Sequence, residues 1–208
     1  MSLISACARG NLDDVKAAVG ASGEAAFDIN GQDAAGRTAL LEAAWGGSDD
    51  IVKFLLERGA DPNIADKSGF TPLMRAVEGG HQPITAALIE KGADVNCRGN
   101  VRGTTPLMLA AEGGDQKLIT LLLGAGARIN DVDQYEETAV ARAYKAGQEK
   151  TAQFLESKGG RGKTERSSYY SHSDRDASTV MVEAVPQWSA ASQDAMGVGR
   201  GAGHDFDD

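Results

Sequence analysis

The feature that most constrains the fold of this chain is an internal repeat of 33 or 34 residues. The segment GRTALLEAAWGGSDDIVKFLLERGADPN begins at Gly36, GFTPLMRAVEGGHQPITAALIEKGADVN begins at Gly69, and GTTPLMLAAEGGDQKLITLLLGAGARIN begins at Gly103. A weaker copy contains Thr138, 33 residues after Thr105, and the opening LISACARGNLDDVKAAV matches the second half of the same unit. A period of this length predicts a stack of units, none of which can bury its apolar face alone.

Each unit is predicted to contain two short helices. In the second unit, Thr71 is a good helix N-cap and Pro72 suits the first helical position, where its missing N–H would be unpaired anyway. Leu73, Ala76 and Val77 fall on one face of that helix. The pair GG then ends it, and PITAALIEK supplies a second helix closed by another glycine. The pattern predicts a helix–turn–helix unit with a projecting, hairpin-like loop.

These letters resemble the ankyrin repeat, whose pattern runs T-P-L-x-x-A, then G-H, then L-L-x-x-G-A-D-V-N. The resemblance covers roughly residues 3–160. It implies an all-α repeat solenoid of stacked helix–turn–helix units with β-hairpin-like loops, in about five units including degenerate caps. We predict an ankyrin repeat domain at 1–160, with caps at about 1–30 and 131–160, full repeats at about 31–63, 64–96 and 97–130, and a disordered tail at 161–208.

Departures from the repeat pattern identify the caps and the variable loops. In the last unit Glu136 replaces the turn glycine and Ala139 replaces the proline, as expected of a polar terminal cap. About four extra residues lie between Val19 and Asn30, and one lies around Gly99. We expect both insertions to enlarge loops; they could mark a binding edge or be tolerated length drift. Small residues recur where neighbouring helices must pack closely: Ala43, Ala76, Ala110 and Ala143.

The segment SKGGRGKT, residues 157–164, raises the possibility of a phosphate-binding loop. Its first position is Ser157 where the motif needs glycine, and the motif also needs a buried strand before it. The repeat register instead places Lys158 to Gly160 where Arg58 to Ala60 stand in an earlier unit, at the end of a cap helix. We therefore expect no nucleotide site there.

Composition changes after residue 160. RGKTERSSYYSHSDRDASTV is rich in serine and mixed charge, and such a segment cannot bury enough apolar surface to offset its ordering entropy. The apolar stretch TVMVEAVPQW, residues 179–188, could be a chance cluster, a segment that folds back onto the repeats, or a short linear motif. A G-x-G-x-x-A pattern near the end is followed by too few residues for a dinucleotide-binding unit.

Charge and residue usage exclude several function classes. The net charge of -9 argues against nucleic acid as a partner, because phosphate contacts need clustered Lys and Arg. No apolar run approaches the ~20 residues of a membrane span, so we expect no membrane partner and a cytoplasmic location. Cys7 and Cys97 are expected to be core or near-core residues, and His81 to hydrogen-bond within or between repeats. We predict no catalytic residue, no cofactor and no metal site.

The resemblance implies that a protein partner binds along the concave side, through loop tips and the exposed face of each first helix. Positions that the repeat pattern leaves free are the candidates, and large aromatic residues among them are the best anchors. Trp45 could instead only cover a neighbouring helix, and Phe70 could only pack against the next loop. The candidate partner-binding residues are Arg37, Trp45, Lys67, Phe70, Arg75, Glu78, Arg102, Glu112, Tyr135 and Lys145.

The sequence favours a non-catalytic protein–protein interaction module that acts as adaptor, scaffold or inhibitor, with an unidentified partner and a chain that is a monomer by itself. The alternative is a regulatory subunit in which the C-terminal tail is the effector and the repeats only dock it. An enzyme or nucleotide-binding protein is the third hypothesis. Fold alone does not choose among them, because one fold serves many functions.

Overall fold

The computed structural model describes residues 2–20, 28–100 and 102–162. These residues form ten α-helices in five pairs and no β-strand, which confirms the predicted all-α repeat solenoid. The predicted tail lies outside the described residues from 163 onward. In chain order the helices are α1 Leu3–Ala8, α2 Leu12–Gly20, α3 Ala39–Trp45, α4 Asp49–Glu57, α5 Pro72–Glu78, α6 Gln82–Glu90, α7 Pro106–Gly113, α8 Gln116–Gly124, α9 Ala139–Lys145 and α10 Glu149–Ser157.

The first helix of each of the last four pairs begins at a threonine N-cap. In each case the threonine Oγ1 accepts a hydrogen bond from the backbone N–H three residues later, at 3.2–3.3 Å. Pro72 and Pro106 follow two of these caps at the start of the helix, as predicted. Such a cap typically contributes about 1 kcal/mol to the free energy of unfolding. The four threonines are Thr38, Thr71, Thr105 and Thr138.

Glycines with positive φ follow the last four second helices, α4, α6, α8 and α10. Gly59 and Gly159 have φ of 85° and 93°, a left-handed conformation that glycine adopts without steric cost. The backbone N–H of Gly160 donates to the carbonyl of Leu155, as that of Ala60 does to Leu55. The SKGG segment is therefore the end of α10, and Lys163 and Thr164 of the phosphate-loop pattern lie outside the described residues.

The core runs between successive pairs. The first helices pack in order, α1 on α3, α3 on α5, α5 on α7 and α7 on α9, and each second helix packs on the first helix of its own pair. The alanines predicted to allow close approach are all buried, as are long apolar residues such as Leu55, Leu88 and Leu122 on the second helices. Apolar burial of this kind is the main stabilising term, at about 25 cal/mol per Å².

Asparagines at the ends of the repeats form a ladder along the stack. The Oδ1 atom of Asn63 accepts from the backbone N–H of Asp94 at 2.8 Å, and its Nδ2 donates to the carbonyl of Gly92 at 3.0 Å. Asn96 and Asn130 make the same pair of bonds one and two repeats further along the stack. Each side chain thus joins the end of its own repeat to the next, so the ladder contributes to the register between repeats.

Between repeats the chain forms short projecting fingers. In three of them an aspartate Oδ1 accepts the backbone N–H groups of the residues two and four further on, at 2.8–3.0 Å, and these residues are Asp33, Asp66 and Asp133. In the third finger the backbone pairing joins Gly99 and Thr104, one residue wider than the Asp33–Arg37 pairing. The extra residue therefore lies within this finger, whereas residues 21–27, in the segment that carries the earlier insertion, lie outside the described residues.

Two residues of the last described repeat, Glu136 and Tyr144, stand where earlier repeats have glycine or a buried apolar residue. Glu136 stands at the turn where earlier repeats have glycine, and its φ is +59°, which is unfavourable for a residue with a side chain. Tyr144 occupies the position of the buried Ala44, Val77 and Ala111, and it is exposed. A ring of that size would not fit where an alanine packs against a following repeat, so this position suits the end of a stack.

Candidate functional site

The candidate residues lie on one surface, which we call the groove: the fingers together with the exposed side of the first helices. Lys67, Arg102 and Tyr135 are at the tips of fingers, and Arg37 and Phe70 stand between the finger turn and the threonine cap. The remaining candidates are on first helices: Trp45, Arg75, Glu78, Glu112 and Lys145. Contacts between fingers and first helices join eight of the ten candidates into two clusters.

The first cluster is built around Arg75 of α5. The guanidinium carbon lies 3.9 Å from the ring centroid of Phe70 in its own finger and 5.0 Å from that of Trp45 in the preceding repeat. Its Nη2 donates to Asp66 at 3.1 Å and its Nη1 to Glu78 at 3.0 Å. Each cation–π contact is worth about 0.5–2 kcal/mol. Arg75 therefore contacts two aromatic rings and two carboxylates.

Trp45 and Phe70 differ in how much surface remains free. Trp45 is 51% exposed, whereas Phe70 is half-buried beneath Arg75. Trp45 thus contacts the neighbouring repeat and also presents a large ring surface to solvent, while Phe70 packs mainly within the cluster. His81 supports the same junction, because its Nε2 lies within hydrogen-bond distance of the Trp45 carbonyl, at 3.3 Å; this confirms the expected contact between repeats.

The second cluster is built around Arg142 of α9, which sequence analysis did not select. Its Nη2 donates to Asp133 at 2.7 Å and to Thr104 of the preceding repeat at 3.2 Å, and its Nη1 donates to Glu112, also of the preceding repeat, at 3.1 Å. The side chain of Asp133 is fully buried and that of Arg142 nearly so. A guanidinium that makes several hydrogen bonds at once fixes the relative positions of its partners. The cluster therefore joins the repeat that contains α7 to the repeat that contains α9.

The electrostatics of this pair follow from its burial and its hydrogen bonds. Burial acts to raise the pKa of Asp133, but hydrogen bonds from Arg142 and from the backbone N–H groups of Glu137 and Tyr135 outweigh burial and hold that pKa below its usual value. Burial acts to lower the pKa of Arg142, but the hydrogen bond and charge of Asp133 outweigh burial, so the pKa is raised above its ordinary value. Both groups are therefore charged throughout the neutral range.

A shallow cavity of about 150 Å³ lies beside Arg142, lined by Arg102, Glu112, Glu137, Arg142, Lys145 and Ala146. The guanidinium carbon of Arg102 lies 5.0 Å from the ring centroid of Tyr135, which is 56% exposed. Lys145 forms an ion pair with Glu137. The cavity wall is therefore of mixed charge, with three cations and two carboxylates.

Two candidates belong to neither cluster. Arg37 pairs with Asp33 at 2.7 Å and with the largely buried Glu42 at 2.6 Å, so its charge is used within its own repeat. Lys67 is exposed, and its backbone N–H donates to the carbonyl of Ala35 in the preceding finger. The binding role assigned to all ten candidates stays a prediction.

The repeat register could have identified Arg142. The fourth residue after the threonine cap is Glu42, Arg75, Leu109 or Arg142 in the four repeats. Arg142 thus occupies the same position as Arg75, which is one of the sequence candidates. Asp66 and Asp133 accept the backbone N–H groups of their finger turns, and each also binds an arginine.

The two cysteines lie away from the clusters. Cys7 is buried, and burial together with the nearby charge of Glu42 raises the pKa of its thiol to about 12. Cys97 is half-buried, and burial also raises its pKa, although a hydrogen bond with Thr71 at 3.4 Å opposes this. Both thiols therefore stay protonated at neutral pH and are poor nucleophiles.

Within residues 2–20, 28–100 and 102–162, no group of three or more His, Cys, Asp or Glu residues is arranged to hold a metal ion. No helix in the same part of the chain combines the length and the apolar character needed to cross a membrane.

The repeats match a known protein family. A family model described as ankyrin repeats (3 copies) matches residues 3–99 and again residues 96–165. No curated protein matches the chain. The two matched segments together cover more than half of the 208 residues.

Proposed function

Because this chain belongs to the ankyrin repeat family, we propose that its groove binds a protein partner. Ankyrin repeats are generally protein–protein interaction modules, and the family is typically non-catalytic. We propose that this chain is likewise non-catalytic and acts as an adaptor, scaffold or inhibitor. The partner is a protein, and no cofactor is required.

The observation that carries this proposal is the pair of exposed aromatic rings held by arginines across repeat boundaries. Trp45 contacts Arg75 of the following repeat, and Tyr135 contacts Arg102 of the preceding finger. Rings of this kind dominate the energetics of many interfaces when a partner buries them. Because the arginines already hold both rings, binding would cost less side-chain entropy than ordering free rings would.

The proposal is tested with the double substitution Trp45→Ala and Tyr135→Ala in the full chain. Proteins captured by the tagged chain are quantified by mass spectrometry, and circular dichroism checks that the variant is folded. We expect at least a tenfold loss of the specifically captured partner. Tyr144→Ala is the matched control, since Tyr144 is also exposed but lies outside both clusters, and it should leave capture unchanged.

Equal capture by the double variant and the original chain would contradict the proposed groove.

The alternative, a regulatory subunit with the tail as effector, depends on residues 161–208, nearly all of which lie outside the described residues. Deleting 161–208 should leave partner capture intact if the groove is the binding surface. The expected cytoplasmic location, the monomeric state and the absence of nucleic-acid or membrane partners stay predictions.

A further inference from the structure

One register position forms a row along the stack. It is the seventh residue after the threonine cap, at the end of each first helix, and it is occupied by Trp45, Glu78, Glu112 and Lys145. All four residues are exposed. Because α3 packs on α5, α5 on α7 and α7 on α9, the row follows the stack from one repeat to the next. We call it the end-of-helix row.

Each of the two glutamates in the row pairs with an arginine that is less exposed than the glutamate. The side chain of Glu78 is 44% exposed and that of its partner Arg75 only 16%; for Glu112 and Arg142 the values are 53% and 7%. Each glutamate uses its Oε2 atom for the arginine. Among the described residues, neither Oε1 atom has a hydrogen-bond partner. Each pair is neutral as a whole, but it presents its carboxylate to solvent and keeps its guanidinium inside.

The spacing of the row defines the ligand geometry. Helices that pack side by side are about 8–10 Å apart. A peptide in the extended polyproline II conformation advances about 3.1 Å per residue with about three residues per turn, so its side chains three positions apart lie on one face, about 9 Å from each other. An extended peptide running along the row therefore meets a new repeat about every three residues. Two basic side chains three residues apart would match Glu78 and Glu112.

We propose that the end-of-helix row binds an extended, basic segment of the partner with two Arg or Lys residues three positions apart. The same spacing places an apolar side chain of the segment against Trp45 and an acidic one against Lys145. Two features support a basic occupant: the free carboxylate oxygens at the centre of the row, and the net charge of -9 of the whole chain. This inference rests on the proposed groove function and specifies the partner's chemistry.

The test uses defined peptides with the full chain. In the in-register peptide, serine spacers place a phenylalanine, two arginines and a glutamate at three-residue intervals, and its reversed sequence covers the opposite chain direction. The comparison peptide has the same composition but adjacent arginines. Fluorescence anisotropy at low ionic strength, where exposed charges are least screened, should show the better in-register peptide binding about tenfold more tightly than its isomer.

The substitutions Glu78→Gln and Glu112→Gln together should abolish this preference. The matched control is Glu57→Gln with Glu90→Gln, which changes the same charge at the last residues of α4 and α6, second helices outside the row. The control variant should keep the preference. Circular dichroism of both variants verifies that they fold.

Three outcomes overturn the inference: no binding of either peptide, equal binding of the two isomers, or an equal loss of the in-register preference in the two glutamine variants. The last two outcomes would indicate attraction by net charge alone. None of these contradicts the groove itself, which is tested separately by partner capture with the Trp45 and Tyr135 substitutions. Conversely, unchanged partner capture by the Trp45 and Tyr135 variant would contradict the groove function, independently of the peptide-binding results.

Discussion

The guanidinium of Arg75 stacks on the ring of Trp45 across the boundary between two repeats, with 5.0 Å from its central carbon to the ring centroid. The same guanidinium stacks on Phe70 and binds two carboxylates. A residue on the exposed side of one helix thus holds the most prominent aromatic residue of the preceding repeat.

We predict that Arg75→Lys loosens Trp45 and lowers the free energy of unfolding by about 1 kcal/mol, because an ammonium lacks the planar stacking and forked donors of guanidinium. Acrylamide quenching of Trp45 fluorescence, in a background in which Trp188 is replaced by phenylalanine, should increase. Arg102→Lys disrupts the equivalent contact with Tyr135 and should not change the tryptophan signal. Unaltered quenching in the Arg75 variant would show that the stack does not restrain the ring.

Asp133→Asn should lower the free energy of unfolding by about 3 kcal/mol at neutral pH, because it leaves the buried Arg142 without its closest counter-charge. Urea unfolding monitored by circular dichroism measures the change. Asp13→Asn, at an exposed position in the first turn of α2, is the control and should have little effect.

The same substitution should alter the acid dependence of stability. The pKa of Asp133 is lower in the folded chain than its ordinary value near 3.8, so its stabilisation is complete above about pH 4 and is lost as the pH falls through the folded pKa. The asparagine variant should therefore lose less stability than the original chain between about pH 4 and pH 2. Parallel pH profiles for the two proteins would argue against a depressed pKa.

Asn63→Ala should lower the free energy of unfolding by about 2 kcal/mol, because it removes two hydrogen bonds that join adjacent repeats, each worth about 1 kcal/mol. Asn63→Asp keeps the acceptor for the Asp94 N–H and loses the donor to Gly92, so its loss should be smaller. Thermal and urea unfolding distinguish the two. An alanine variant as stable as the original would mean that the ladder contributes nothing to the register energy.

Glu136→Gly should raise the free energy of unfolding by up to about 1 kcal/mol, because the residue has a φ of +59° that glycine adopts without strain. The opposite change, Gly69→Ala, should be clearly destabilising: φ is +81° there, and an added Cβ would lie 2.7 Å from the backbone nitrogen of Asn100. Urea unfolding of both variants measures whether the free energy of unfolding rises in the first and falls in the second. A less stable Glu136 variant would show that the interactions of the glutamate outweigh the strain of its positive φ.

Much of the fold could be derived from residues close together in the chain. The threonine caps, the prolines at the helix starts and the glycines at the helix ends all act within one or two helical turns. The roles of Thr71, Pro72 and Gly92 could therefore be predicted from their neighbours in the sequence. The period then implied stacking, and the positions of the small residues indicated where helices approach. The domain boundaries and the binding role of the candidates have not been tested and stay predictions.

Contacts between repeats were harder to derive, because they join residues about 30 positions apart whose partners depend on how the units stack. Nothing in the local sequence around Arg142 shows that it binds Glu112 and Thr104 of the preceding repeat, or that Trp45 meets Arg75 of the next. Local propensities and periodicity therefore sufficed for the helices and their order. Only the stacked structure decided which charges are buried and which face solvent, because burial depends on the neighbouring repeat that covers each side chain.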